Sequence, residues 1–136
     1  MTNFISISVS VNANAEKAWN YWTKPEHIVN WNHASDEWHT PRATVDLKVG
    51  GHFMSRMEAK DGSFGFDFTG EFVTIDNLNL IEYEIIGGRK VKIEFKTIEN
   101  QTTISQTFQA EDENSLELQR QGWQAIMNNF KKYIEA

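Results

Sequence analysis

Apolar and polar residues alternate from Phe4 to Val11, with Ile5, Ile7, Val9 and Val11 on one side and Ser6, Ser8 and Ser10 on the other. Successive side chains of a strand point to opposite faces, so the pattern predicts a half-buried β-strand. The period then changes. Ala15, Ala18, Trp19 and Trp22 fall at i, i+3, i+4 and i+7, a helical stripe that Asn14 is placed to cap. Thr23-Lys24-Pro25-Glu26 has the form of a capping box with proline in the first turn. It predicts a second short helix carrying Ile28, Val29 and Trp31.

From about Ala43 to Ala110 the period stays near two and predicts strands over 43–49, 51–60, 63–75, 79–86, 90–99 and 101–110. Gly50-Gly51, Asp61-Gly62, Asn77-Leu78-Asn79, Gly87-Gly88 and Asn100-Gln101 mark the turns between them. Connections this short join neighbouring strands, so the sheet is an antiparallel meander. Its apolar face collects Phe53 and Met57; Phe64, Phe66, Phe68 and Phe72; Ile81, Tyr83 and Ile85; Val91, Ile93 and Phe95; Ile104 and Phe108. The other face carries Lys90, Lys92, Glu94, Lys96, Thr103, Ser105 and Thr107, so a cover is needed on one side only. The segment from Glu113 to Ile134 supplies it. There Leu116, Trp123, Ile126, Met127, Phe130, Tyr133 and Ile134 form a helical stripe, and a helix of about 22 residues spans roughly 33 Å. Gly122 interrupts this helix at a propensity cost of about 1 kcal/mol, which suits either a close approach or a bend. The order β-α-α-β(6)-α is therefore an α+β fold in which an antiparallel sheet wraps a long C-terminal helix, a single domain over 1–136.

Composition narrows the function classes. The 136 residues include 19 acidic and 13 basic side chains, a net charge of −6 that argues against a nucleic-acid surface. No cysteine is present, which removes disulfides, thiol nucleophiles and thiolate metal sites and fits a cytoplasmic setting. Neither a signal peptide nor a membrane-inserting span is visible.

Four stretches resemble a known family: Val11 to Trp31, Gly50-Gly51-His52-Phe53, Asp61-Gly62 with Gly70-Glu71-Phe72, and Gln121-Gly122-Trp123-Gln124. The chain resembles the helix-grip (START-like, SRPBCC) superfamily of START lipid-transfer domains, pollen allergens and polyketide cyclases. Within it, the chain is similar to bacterial proteins related to the C-terminal domain of the activator of heat-shock-protein-90 ATPase. Trp31 to Pro41 resembles one uncharacterised bacterial subgroup. The resemblance implies a helix-grip fold with a hollow between sheet and long helix, used across the superfamily for apolar ligands, cyclisation or protein binding.

The residues offer candidates for such a hollow. Phe66, Phe68, Tyr83, Phe95, Phe108, Trp123, Met127 and Phe130 would supply contact area, with Trp31, Trp38, His39 and Gln106 at the mouth or orienting polar atoms. The same aromatics pack a solid core equally well. Gln106 shares strand period with Ile104 and Phe108, so it either meets a polar partner inside or reaches solvent at a sheet margin. The segment 31–42 reads as a loop dense in chemistry, with Trp31, His33, Asp36, Glu37, Trp38, His39 and Arg42. His33, Asp36 and His39 do not share the face a metal requires, so no metal and no cofactor is expected. No nucleophile elbow occurs. Three expectations follow: binding of a small apolar or aromatic molecule, contact with a chaperone, or acid–base catalysis of the cyclase or dehydratase kind by a pair such as Asp36 and His39. An apolar sheet edge would allow a homodimer.

Overall fold

The computed structural model describes residues 3–136. Along the chain run β1 (Phe4–Val11), α1 (Ala15–Thr23), α2 (Pro25–Trp31), β2 (Trp38–Val45), β3 (His52–Ala59), β4 (Gly65–Asp76), β5 (Leu80–Ile85), β6 (Lys90–Ile98), β7 (Gln101–Gln109) and α3 (Leu116–Glu135). All seven strands form one antiparallel sheet in the order β1-β7-β6-β5-β4-β3-β2. The meander from β2 to β7 follows from its short turns, and β1 closes onto β7 with Ile5 opposite Phe108 and Val11 opposite Thr102. This is the α+β helix-grip architecture.

Local chemistry sets most element ends. Asn14 caps α1 by accepting from the Lys17 amide at 2.9 Å, as its position before the apolar stripe predicts. The capping box expected at Thr23 does not form. Thr23 is the last residue of α1, and its hydroxyl donates back to the Trp19 carbonyl at 2.8 Å, a local bond open to helical threonine. Lys24 stands at the N-cap of α2 with no side-chain bond, and Pro25 opens the helix.

A second correction concerns 31–42, which is not a loop throughout. Trp38 to Arg42 belong to β2, an edge strand pairing Trp38 with Ala59 and His39 with Glu58. Pro41 sits in a register irregularity between His39 and Arg42, where an edge strand tolerates a missing N–H. Three apolar assignments also change. Phe64 precedes β4 and is 61 % exposed, Phe66 in β4 is 41 % exposed, and Leu116 at the start of α3 is 46 % exposed.

The core lies on the concave side of the sheet. One cross-strand row runs Ile5–Phe108–Val91–Tyr83–Phe72, and the next Ile7–Gln106–Ile93–Ile81–Ile75. Over these rows α3 places Met127, Phe130 and Ile134, all fully buried. The helix packs chiefly on β1 and touches α1 and α2. Its polar side chains reach the outer edge of β1: Arg120 donates to the Ser6 carbonyl at 2.8 Å, Gln124 to Ser8 at 3.2 Å and Lys131 to Ser10 at 2.6 Å. Carbonyls that an edge strand leaves unpaired are thereby satisfied. At the far end the His27 ring stacks on Tyr21 and bonds Tyr133 at 2.8 Å, tying α2 to α3. No helix among the described residues is long and apolar enough to cross a membrane.

Candidate functional site

Because α3 leans toward β1, it does not fill the space above β3, β4 and β5. A cavity of about 250 Å³ remains there. Its floor is built by strand parity, with Phe53, Ser55 and Met57 from β3, Phe66, Phe68 and Phe72 from β4, and Ile81 and Tyr83 from β5. Ile93 and Gln106 continue the floor into β6 and β7. Trp123 and Ile126 of α3 form one wall. Trp22, Thr23, Ile28, Trp31 and Asn32 of the short helices close another, and Val45 and Leu47 lie at the β2 end.

Of the residues proposed from sequence, the structure brings Trp31, Phe66, Phe68, Tyr83, Gln106 and Trp123 to this cavity. Phe95, Phe108, Met127 and Phe130 lie behind its walls in the solid core. Phe108 stacks flat beneath Trp123 with centroids 3.9 Å apart, and Phe130 meets Trp22 and Trp31 edge-on at 4.9 and 5.0 Å. These rings support the lining residues without facing the space. Trp38 and His39 are also outside it. Trp38 packs edge-on against Phe64 and Phe66, and His39 pairs with Glu58 at 3.7 Å. Sequence reasoning placed Phe53, Ser55 and Met57 on the inward face but did not single out Trp22, Ile28, Asn32 or Ile126 as lining. Their apolar parity was visible, but the crossing position of α3 decides which apolar residues face empty space.

The lining is apolar apart from a few uncharged groups. The Thr23 hydroxyl is spent on the Trp19 carbonyl. Gln106 is 5 % exposed and Ser55 5 % exposed. Burial pushes the Tyr83 phenol well above its ordinary value, which the charge of Arg89 and the side-chain interaction with Gln106 offset only in part. Among the described residues none of the lining side chains is Asp, Glu, Lys, Arg or His.

The titratable residues of 31–42 stay apart from the cavity. Asp36, Glu37 and Arg42 are exposed, and the His33 carbonyl accepts from Asn129. The Nδ1 of His33 is buried without a partner, and burial first, then the charge of Lys60, lowers its pKa. Asp36 and His39 therefore present no acid–base pair to the cavity. No group of three His, Cys, Asp or Glu able to hold a metal occurs among the described residues.

The family described as Activator of Hsp90 ATPase homolog 1-like protein matches residues 12–135. The solution structure of an AHSA1-like protein from Aeromonas hydrophila is 40% identical, covering 96% of this chain and 92% of that one, with a TM-score of 0.88. Chr148 from Cytophaga hutchinsonii is 50% identical over 96% of this chain and 91% of its own, with a TM-score of 0.84. The Aha1 dimer from Colwellia psychrerythraea shares the fold at 15% identity, covering 98% and 96%, with a TM-score of 0.76. No curated protein matches the chain.

Proposed function

The chain belongs to the family of Activator of Hsp90 ATPase homolog 1-like proteins, and from that premise we propose that it is a binding protein for a small apolar or aromatic molecule held between the sheet and α3. The observation that carries this reading is the cavity of about 250 Å³ with an almost wholly apolar lining. Interiors normally pack to crystal-like density, so a partly open hollow of this size between sheet and helix suits a small ligand. An apolar cavity of about 150 Å³ already takes benzene, which makes a molecule of one or two rings the natural size class. Trp22, Trp31 and Trp123 in the walls offer large flat contact surfaces. Ligand binding to the folded state alone raises its stability by mass action.

Titration with naphthalene tests the reading through tryptophan fluorescence and thermal unfolding. Saturable one-to-one binding and a rise in Tm are expected, and Ile126→Trp, which fills the space from the α3 wall, is expected to abolish both. Identical responses in the two proteins, or none in either, would end the proposal.

A further inference from the structure

We propose that the cavity selects a neutral molecule bearing a hydrogen-bonding oxygen on its apolar frame, received by Gln106 with the Tyr83 hydroxyl, and that it excludes carboxylates. The inference rests on the binding reading above and names its ligand class.

The argument begins with placement. Gln106 stands in a cross-strand row whose other members are Ile7, Ile93, Ile81 and Ile75. A core built only for packing has no use for an amide there, because burying one without partners is unfavourable. A glutamine side chain offers two donors and an acceptor. The Gln106 side chain interacts with the Tyr83 phenol and borders the cavity. Ser55, opposite Phe68 in the register, is buried to the same degree and lines the same cavity. Three uncharged polar groups from β3, β5 and β7 thus border one space whose remaining surface is mostly hydrocarbon.

Charge determines which oxygen suits them. No ionisable side chain except Tyr83 lines the cavity among the described residues, and burial keeps that phenol protonated at neutral pH. The cation sensed by Tyr83 is Arg89, whose guanidinium donates to the Gln109 carbonyl at 3.4 Å. A carboxylate entering here would lose its hydration and touch no cationic side chain among the described lining residues, with only the charge of Arg89 beyond the lining to offset the loss. A hydroxyl or carbonyl loses far less and gains the amide and the phenol.

Three matched probes at neutral pH separate the outcomes: naphthalene, 2-naphthol and 2-naphthoate, followed by calorimetry or tryptophan quenching. 2-Naphthol is expected to bind about tenfold more tightly than naphthalene, as one net hydrogen bond provides, and at least about tenfold more tightly than the carboxylate. In Gln106→Leu the ratio of naphthol to naphthalene affinity is expected to fall toward one, with circular dichroism reporting the fold. Tyr83→Phe is the second variant, and it is expected to reduce the same ratio. Naphthoate binding as tightly as naphthol, or an unchanged ratio in both variants, overturns the inference and leaves the binding reading standing. Failure of all three probes to bind removes both.

Discussion

At the scale of single residues, His33 shows how position converts burial into pH dependence. Its Nδ1 is enclosed without a partner, and burial, then Lys60, then His39 disfavour the imidazolium, while Asp36 opposes them. The folded-state pKa is therefore below that of an ordinary imidazole, and the unfolded chain takes up the proton first. Stability from this group is complete above that unfolded value and declines as pH falls below it toward the folded one. The urea midpoint should drop between about pH 7.5 and about pH 5.5, and His33→Gln should flatten that drop; an unchanged slope in the variant would exclude His33 as its source. The unusual density of chemistry around His33 was readable in the sequence. Its burial was not, because Asn129 meets it from 96 positions away.

At the scale of elements, two glycines have opposite meanings that no sequence pattern separates. A Cβ at Gly70 of β4 would lie 2.5 Å from the Phe53 ring and 2.8 Å from the Glu84 carbonyl. Gly70→Ala should therefore destabilise by about 1–3 kcal/mol, the usual cost of overpacking. A Cβ at Gly122 of α3 would meet nothing within 4 Å, so neither close approach nor contact explains that glycine. Gly122→Ala should stabilise by up to about 1 kcal/mol through helix propensity. Thermal unfolding of the two variants checks the pair, and shifts of the same sign would contradict this account. The elements themselves were mostly legible: the period-two run gave β3 to β7, and the 3.6-residue stripe gave α3. β2 was misread because an edge strand buries too little to show clean alternation, and its Pro41 imitates a loop. Thr23 was misread because a capping box and a helical back-bond share the same residue type.

At the scale of the whole molecule, α3 has a packed side and a side facing space. Phe130 is fully enclosed by Trp22, Trp31 and the core, whereas Ile126 borders the cavity. Phe130→Ala should cost about 3–5 kcal/mol and Ile126→Ala less than about 2 kcal/mol, because fewer of its atoms lose contacts. Denaturant unfolding at matched m-values reads the difference, and equal losses would mean that the space is closed in solution. The sequence by itself determined the order of elements, the antiparallel meander, the one-sided apolar face and the helix that covers it, because these follow from periodicity and turn chemistry within a few residues. Only the tertiary structure decided that α3 leans on β1, that Phe95, Phe108, Met127 and Phe130 fill the core while Phe53, Met57 and Ile126 line a hollow, and that Gln106 stands among isoleucines. Inward-facing residues look alike along the chain, and the gap between them depends on the angle and offset of two surfaces that meet only when the chain is folded.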